Sequence, residues 1–227
     1  MPARAGRDAS RPYVFINVVC TVDGRTAVEG KATSLGGPAD RRVMRTLRSK
    51  ADAVMIGGGT LRAEKLSLGL DAEDPRSRPL AVVLSNTGEV PLRRNLIFDR
   101  RQRVLVLLAK DAPGDAEPRI GGVAEVRRVE TASGAVDLGK ALHTLKAEYG
   151  VGRLLVEGGP TINHALVSAD LVDELFLTLA PMLLGARAKE ASSILGGDLS
   201  ERIDLRLLSA HLDTDELFLR YAVGGRA

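Results

Sequence analysis

Two glycine clusters are the residues of this sequence whose types and spacing suggest binding chemistry. Residues 57–60 (Gly-Gly-Gly-Thr) follow the apolar run 53–56, and residues 157–161 (Glu-Gly-Gly-Pro-Thr) follow the run 154–156. A strand that turns into a helix through glycines exposes several backbone N–H groups, and the amino end of the helix adds partial positive charge. Phosphate groups bind at such places, so the clusters predict a site for a phosphorylated ligand.

Neither glycine cluster matches a common nucleotide-binding signature. Arg62 stands where a dinucleotide fingerprint beginning at Gly57 would need its third glycine, and no Gly-Lys-Ser/Thr follows either cluster. For one cluster alone, a purely structural tight turn is the favoured interpretation. Two clusters favour a binding site, because the carboxyl ends of parallel strands open on one edge of a sheet, where α/β proteins bind ligands.

Other reactive residue types give weaker signals. Residues 23–25 (Asp-Gly-Arg) follow the first apolar run, and a hairpin turn explains Asp-Gly as readily as a site does. His143, His164 and His211 lie far apart without helical pairing, which argues against a metal site. Cys20 is the only cysteine, so neither an internal disulfide nor a cysteine-built zinc site is possible. No Gly-x-Ser-x-Gly motif supports a hydrolase.

The strands that must position the glycine clusters can be predicted from apolar patterning. Six runs rich in Val, Ile and Leu are typical of strands, and several are continuously apolar, as central strands covered on both faces are. They span 13–19, 53–56, 80–84, 104–108, 154–156 and 174–179. Two further strands are predicted at 203–208 and 216–221, with a chain reversal at 213–215.

Three helices are predicted between these strands. Pro38 suits a first helical position, and the apolar spacing after it predicts a helix that reaches residue 49. Asp137 can cap a second helix, which should end at Gly150. A third helix should begin at Pro160 and stop near Asp170.

Strands that alternate with helices and end in an antiparallel hairpin predict an α/β fold with a mixed, mostly parallel sheet flanked by helices. Charged residues, Gly and Pro mark two surface loops, at 85–101 and 111–122. The length of 227 residues favours one domain at 11–227, preceded by a disordered or extended tail at 1–10.

Composition and charge exclude several classes of protein. A hydrophobic fraction of 44% and a charged fraction of 27% argue against disorder and against a fibrous repeat. No apolar run approaches the roughly 20 residues needed to cross a bilayer, and no secretory signal is recognisable, so a cytoplasmic protein is expected. The 32 basic and 29 acidic residues nearly balance, which gives no support for a nucleic-acid partner.

Several segments occur in the order found in a known family. Residues 21–27 (Thr-Val-Asp-Gly-Arg-Thr-Ala) are similar to its Ser-Leu-Asp-Gly-Lys/Arg segment, and 51–54 (Ala-Asp-Ala-Val) lead into the first glycine cluster. The series lies within residues 11–222 and continues with the second glycine cluster. It ends with residues 171–175 (Leu-Val-Asp-Glu-Leu) and 180–185 (Ala-Pro-Met-Leu-Leu-Gly). Together they resemble the reductase domains of riboflavin biosynthesis, which have a dihydrofolate-reductase-like fold.

The resemblance implies NADPH-dependent reduction of a 5-amino-6-(5-phosphoribosylamino)pyrimidine, with hydride passing to C1′ of the ring-opened ribose. It implies that Glu157 and Arg25 are catalytic and that Arg48, Leu68 and Glu157 contact the substrate, with Arg25 or Arg48 as the positive partner of its oxygens or phosphate. The residues implied to bind NADPH are Gly59, Thr60, Glu64, Ser85, Asn86, Gly158, Gly159, Pro160, Thr161, Ile162 and Asn163, followed by His164 and Ala165. Family members are commonly dimers, so a homodimer that uses the carboxyl-terminal antiparallel region is expected.

The sequence departs from the family mainly in the substrate half. Asp71 replaces an arginine expected to hold the substrate phosphate, and a carboxylate there would repel a phosphate. Residues 33–37 (Thr-Ser-Leu-Gly-Gly) replace a Ser-x-Trp-Ile stretch. Two alternative functions therefore remain. One is an NADPH reductase of the same fold that acts on another substrate, such as dihydrofolate, and the other is a non-catalytic nucleotide-binding domain. We expect a stand-alone reductase without a deaminase domain. The candidate partners of the 2′-phosphate of the cofactor are Arg93, Arg94 and Arg100.

Overall fold

The apolar runs of the sequence become strands in the computed structural model, which describes residues 8–27, 35–63, 67–70, 78–92, 96–98, 102–185 and 193–224. All six strands predicted from those runs are confirmed, because Val, Ile and Leu suit a pleated surface covered on both faces. In chain order the elements are β1 (Tyr13–Thr21), α1 (Pro38–Ser49), β2 (Ala53–Gly57), α2 (Gly58–Ala63), β3 (Leu80–Ser85), a 3-10 turn (Leu96–Phe98), β4 (Val104–Ala109), α3 (Ala116–Ile120), β5 (Glu125–Val129), β6 (Thr131–Ala132), β7 (Ala135–Val136), α4 (Leu138–Tyr149), β8 (Arg153–Val156), α5 (Pro160–Ser168), β9 (Glu174–Ala180), β10 (Leu205–Asp213) and β11 (Glu216–Val223).

Nine strands form one sheet in the order β10-β11-β9-β1-β8-β2-β3-β4-β5. The pairs from β9 to β5 in that order are parallel, and β11 is antiparallel to both β9 and β10. The predicted mixed sheet and terminal hairpin are therefore confirmed. Strands β2 and β8, which lead into the two glycine clusters, are direct neighbours, so both clusters open on the same edge of the sheet.

Helices cover both faces of the parallel part of the sheet, and an apolar core lies on each side. Leu142 of α4 and Leu166 of α5 share one core with Ile16 of β1. Leu47 of α1 shares the other core with Phe15 of β1. Phe15 and Ile16 thus face opposite cores, as the two-residue period of a strand requires. The predicted strand β1 is buried on both sides and lies in the middle of the sheet whose carboxyl edge carries the glycine clusters.

The three predicted helices are confirmed, with small differences at their ends. Helix α1 spans Pro38–Ser49, as predicted. The second begins after Asp137, whose Oδ1 accepts the Lys140 N–H at 2.9 Å, and it ends at Gly150, which has a left-handed φ of 68°. The third begins at Pro160 and ends at Ser168, slightly before the predicted stop.

A carboxylate from the last strand caps the amino end of α1. Gly37, at the N-cap, has no capping side chain, and the buried Glu216 of β11 accepts hydrogen bonds from the backbone N–H groups of Gly37 at 2.6 Å and Asp40 at 3.2 Å. A negative charge there also interacts favourably with the helix dipole. The terminal hairpin therefore fixes the start of the helix that carries Asp40 and Arg48.

Some elements differ from the sequence-based expectation. Strand β5 was missed because its sequence, Glu-Val-Arg-Arg-Val, lacks an apolar run, as is common for a strand at a sheet edge. Helix α3 lies inside the predicted loop 111–122, and the 3-10 turn lies inside the predicted loop 85–101. Of the predicted tail, residues 8–10 form an exposed turn, and 1–7 lie outside the described residues. None of the described helices is long and apolar enough to cross a membrane.

Candidate active site

The two glycine loops touch each other at the carboxyl edge of the sheet. The backbone N–H of Gly57 donates a hydrogen bond to the carbonyl oxygen of Gly158 at 2.8 Å. A Cβ placed on Gly159 would lie 2.6 Å from Oγ1 of Thr60, so the loops also approach closely through that hydroxyl. The peptide bond between Gly158 and Gly159 is cis. The predicted pair of loops is therefore one structural unit.

A cavity of about 600 Å³ opens at this unit. Apolar side chains from β1, α1 and β2 form part of its wall, among them Val19, Met44 and Ile56. Ten residues that were given a catalytic, substrate or cofactor role line it, and they come from α1 and from both loops: Arg48, Gly59, Thr60, Glu157, Gly158, Gly159, Pro160, Thr161, Ile162 and Asn163. The volume falls in the range of about 300–1,000 Å³ that is usual for small-molecule sites.

Helix α5 points its amino end into the cavity. Gly159 is its N-cap and has no side chain to cap the helix, and Pro160 is its first residue. The segment 193–198 runs across this end: the Gly196 N–H donates to the Pro160 carbonyl oxygen at 3.0 Å, and Asn163 Nδ2 donates to the Ile194 carbonyl oxygen at 3.2 Å. The helix dipole at this position is therefore directed at the place where a ligand would enter.

A buried ion pair between Arg48 and Glu157 forms another part of the wall. Nε and Nη2 of Arg48 donate to the two carboxylate oxygens of Glu157 at 2.8 and 2.6 Å. Nη1 of Arg48 donates to the carbonyl oxygens of Ser67 at 3.0 Å and Gly69 at 3.2 Å. Burial alone would lower the pKa of Arg48, but the charge and hydrogen bonds of Glu157 outweigh burial and raise that pKa. These hydrogen bonds hold the guanidinium of Arg48 and the carboxylate of Glu157 in one orientation.

This pairing limits the role predicted for Arg48, which stays a prediction. The resemblance made its guanidinium a partner of substrate oxygens or phosphate, whereas in the structure four of its five N–H groups donate to Glu157 and to two backbone carbonyls. The side chains of Arg48 and Glu157 are only 9% and 11% exposed. In the structure, Arg48 holds the carboxylate of Glu157 in place.

Two amide oxygens in the cavity wall have no hydrogen-bond partner in the described part of the chain. They are Oδ1 of Asn17 on β1 and Oδ1 of Asn163 on α5, and both atoms are buried. A buried acceptor left without a donor costs about 1–3 kcal/mol. A ligand that carries N–H groups would satisfy both oxygens.

Besides His164 and Ala165, four described residues that were predicted as site residues do not line the cavity. Leu68 is fully buried in the core that contains Leu47. Ser85 Oγ accepts the Gly88 N–H at 2.9 Å, and Asn86 Oδ1 accepts the Val136 N–H at 3.1 Å. The half-buried Arg25 has a backbone N–H bonded to Thr21 Oγ1 and a buried Nε without a hydrogen-bond partner. The roles given to these four residues stay predictions.

Some residues named from the sequence cannot be placed. Glu64, Asp71, Thr33, Ser34, Arg93, Arg94 and Arg100 lie outside the described residues. His164 is described, and its Nε2 lies 2.8 Å from the carbonyl oxygen of Asp198, on the segment that crosses α5. Ala165 follows it in the same helix.

The Asp-Gly turn at residues 23–24 does not form a hairpin. Strand β1 pairs in parallel with both β8 and β9, and none of the described residues that follow the turn forms a strand that pairs back with β1. The carboxylate of Asp23 instead accepts hydrogen bonds from the hydroxyl of Thr21 at 2.6 Å and from the N–H groups of Leu184 and Gly185. These hydrogen bonds, first that of Thr21, lower the pKa of Asp23 to about 2. Asp23 thus anchors the loop after β9.

Asp40 is a cavity residue that sequence reasoning missed. It lies in the first turn of α1 and lines the cavity together with Met44 and Arg48. Residues 40, 44 and 48 are spaced by four, which places them on one face of a helix. That spacing was present in the sequence and could have identified Asp40 once Arg48 had been singled out.

Comparison with known proteins decides the family. Residues 12–218 match the family model described as the RibD C-terminal domain. The chain belongs to this family. A protein named 2,5-diamino-6-ribosylamino-4(3H)-pyrimidinone 5′-phosphate reductase, from Methanothermobacter thermautotrophicus, is 30% identical over 221 residues, which cover 95% of this chain and 100% of that protein. A protein of the same name from Archaeoglobus fulgidus is 34% identical over 187 residues, which cover 78% of this chain and 84% of that protein.

A solved structure confirms the fold of this RibD C-terminal domain. Acinetobacter baumannii RibD, form 2, superposes with a TM-score of 0.76 at 26% identity. The match covers 95% of this chain and 58% of that chain, so this chain spans little more than half the length of that RibD protein. The mixed sheet with flanking helices is the dihydrofolate-reductase-like fold that the resemblance implied.

Proposed function

We propose that this RibD C-terminal domain is an NADPH-dependent reductase, which converts a 5-amino-6-(5-phosphoribosylamino)pyrimidine to its ribitylamino form in riboflavin biosynthesis. The observation that supports this most is the cavity into which both glycine loops and the Arg48–Glu157 pair open. The names of the two curated relatives favour a pyrimidine over dihydrofolate, and favour catalysis over simple nucleotide binding. A cytoplasmic location is part of the proposal.

The chemistry around the second glycine loop fits NADPH. The uncapped amino end of α5 suits an anionic diphosphate, and the hydroxyl of Thr60 lies against the same loop. The buried Oδ1 of Asn163 suits an N–H donor such as the carboxamide of the nicotinamide. When bound, the nicotinamide would supply the hydride, so the protein needs mainly to bind and orient the reactants.

The Arg48–Glu157 pair suits the sugar part of the substrate. Each carboxylate oxygen of Glu157 accepts one hydrogen bond from Arg48, which leaves further lone pairs for hydroxyl groups of a ribose. Because Arg48 is held by four hydrogen bonds, it is poorly placed to bind a phosphate. Arg41 is exposed and also lines the cavity, so it provides positive charge there for the substrate phosphate.

In the proposed reaction the ring-opened ribose is joined to the pyrimidine through a C1′=N double bond. Hydride adds to C1′ and a proton adds to the nitrogen, so that the double bond becomes a single bond and the ribityl chain is formed. The apolar lining from Val19, Met44 and Ile56 limits access of water to C1′. No side chain has to form a covalent bond to the substrate.

We also propose a homodimer that uses the terminal hairpin. Strand β10 is an edge strand, and its Leu205, Leu207 and Leu212 are 45%, 53% and 72% exposed. Several large apolar side chains exposed on one edge strand are typical of a surface that another copy covers. Sedimentation should show a dimer at assay concentrations, and Leu207→Asp should shift it toward monomer. A wild-type monomer would contradict the proposal.

The test of the proposed function is steady-state oxidation of NADPH by the purified protein. The phosphoribosylamino-pyrimidine and dihydrofolate are offered in parallel, and consumption is followed by the absorbance of the reduced nicotinamide. We expect turnover with the pyrimidine. Turnover with dihydrofolate alone would show that the substrate is wrong, and tight NADPH binding without turnover of either would favour a nucleotide-binding domain.

A further inference from the structure

The segment 193–198, here called the strap, crosses the amino end of α5 at the cavity wall. Thr26 Oγ1 donates to the Ser193 carbonyl oxygen at 3.1 Å, and the Gly196 N–H donates to the first carbonyl oxygen of α5 at 3.0 Å. Ile194, which lies between these two points, lines the cavity. The strap is therefore part of the wall that a ligand meets.

The strap lies so close to α5 that it needs a glycine at position 196. A Cβ on Gly196 would lie 2.9 Å from the backbone nitrogen of Thr161 and 3.0 Å from the carbonyl carbon of Pro160. Both are backbone atoms of the first helical turn, so they cannot rotate away as the end of a side chain can. A side chain at position 196 would therefore displace the strap from the helix.

His164 holds the far end of the strap. Its Nε2 lies 2.8 Å from the carbonyl oxygen of Asp198, and because that oxygen can only accept, Nε2 is the donor. The ring also packs against Gly197, where a Cβ would lie 3.1 Å from Nε2. His164 does not line the cavity, so it acts on the strap and not on a ligand.

The strap determines which atom of the Asn163 amide is available to a ligand. Nδ2 of Asn163 donates to the Ile194 carbonyl oxygen at 3.2 Å, and Oδ1 carries no hydrogen that could replace this bond. Oδ1 is therefore kept away from the strap, buried and without a partner among the described residues. Asn163 is only 2% exposed and lines the cavity. Without the Ile194 carbonyl, the amide is free to turn over and present Nδ2 instead.

We propose that the strap is a positioning element for cofactor selection. It holds Oδ1 of Asn163 ready to accept, so that the site prefers a nicotinamide ring whose carboxamide donates an N–H group. This inference rests on the proposed function, in which Oδ1 accepts from that carboxamide. A methyl group at the same place would leave a buried acceptor unpaired. Gly196 and His164 are the positioning residues, because they keep the strap on α5.

The experiment compares the Kd for NADP⁺ with the Kd for its 3-acetylpyridine analogue, in which a methyl group replaces the amino group of the carboxamide. Both are measured by calorimetry. The wild type should bind NADP⁺ roughly 10-fold more tightly, as expected when a buried acceptor gains its donor. In Gly196→Ala this ratio should fall to about threefold or less, since the displaced strap no longer fixes the amide.

Variants of His164 provide a rescue that a general loss of packing would not show. His164→Ala removes the donor to the Asp198 carbonyl oxygen and should lower the ratio of the two Kd values. His164→Gln should restore the ratio, because the amide Nε2 of glutamine can donate to the same oxygen. A ratio in His164→Gln as low as that in His164→Ala would contradict the assigned hydrogen bond.

Two controls separate a lost orientation from a lost fold. Gly122→Ala is the matched variant, because Gly122 is exposed and a Cβ there would meet nothing within 4 Å; its ratio should equal that of the wild type. Asn163→Leu removes the acceptor itself. Its ratio should be low, and adding Gly196→Ala should not lower that ratio further, because both changes act through one amide.

The ratio of the two Kd values decides the inference. A wild-type ratio near one would overturn the role of the strap and leave the reductase function standing. The same holds if Gly196→Ala weakens both cofactors by the same factor or leaves both unchanged. Bound NADP⁺ without any turnover of the pyrimidine would instead refute the reductase function, while the ratio would still decide the role of the strap.

Discussion

Replacing Gly159 with alanine should weaken cofactor binding by displacing Thr60. The backbone of Gly159 has φ −74° and ψ −169°, which are accessible to alanine. The added Cβ, however, would lie 2.6 Å from Oγ1 of Thr60, well inside the roughly 3.5–4.0 Å of a normal contact. Thr60 can rotate away from the new methyl group, and its hydroxyl then leaves the junction of the two glycine loops.

The size of the effect follows from the hydrogen bond that Thr60 would lose. A hydrogen bond to a charged group such as a phosphate contributes about 1.5–3 kcal/mol, and each 1.4 kcal/mol is a factor of about ten in Kd. We therefore expect the Kd for NADPH to rise roughly 10- to 100-fold in Gly159→Ala. Thr60→Ala should produce a similar rise. The two losses should not add in the double variant, because one hydroxyl accounts for both.

The assay is isothermal titration of NADPH into the wild type, the two single variants and the double variant. Gly114→Ala is the matched control, since Gly114 is exposed and a Cβ there would meet nothing within 4 Å. Its affinity should equal that of the wild type. An unchanged affinity in Gly159→Ala, or additive losses in the double variant, would refute the view that the loops act together through Thr60.

Three other substitutions test the positions of single carboxylates. Glu157→Gln leaves Arg48 buried without its partner charge. We expect kcat/KM to fall by roughly 10-fold or more and the affinity for NADPH to stay unchanged. The free energy of unfolding, measured with urea, should fall by about 3–5 kcal/mol. Glu216→Ala removes the cap of α1 and should lower the free energy of unfolding by about 1–2 kcal/mol, whereas an unchanged stability would mean that the cap contributes nothing. The pKa of Asp23 is about 2 in the folded protein, against an ordinary value of 3.8. The ionised carboxylate therefore stabilises the fold at pH values above 3.8, and this contribution disappears as the pH falls toward 2. Unfolding of the wild type and Asp23→Asn should differ at about pH 5 and converge at lower pH, and a constant difference would contradict the assignment.

The sequence predicts the ligand-binding edge because that edge follows from local rules. Apolar runs identify β2 and β8, and glycines after each run mark the loops. Parallel strands then bring the two loops to one edge, and the hydrogen bond from Gly57 to Gly158 confirms that they meet. Asp137 and Gly150 were likewise sufficient to predict both ends of α4.

The long-range contacts around the proposed ligand site could not be predicted in the same way. Arg48 and Glu157 are 109 positions apart, and no local pattern shows that the two would pair with each other. The cap on α1 comes from Glu216, a residue of the last strand, so the sequence around Gly37 gives no indication of it. Leu68 was assigned to the substrate by resemblance alone, whereas its environment in the structure is apolar core.

If the cavity holds the nicotinamide against C1′ of the ring-opened ribose, deuterium at C4 of the nicotinamide must reach that carbon. The measurement is mass spectrometry of the product formed with each of the two C4-deuterated diastereomers of NADPH. We expect one diastereomer to give a product with a single deuterium at C1′ of the ribityl chain, and the other to give an unlabelled product. Product without deuterium from either diastereomer, or with deuterium at any other carbon, would contradict direct hydride transfer in this cavity.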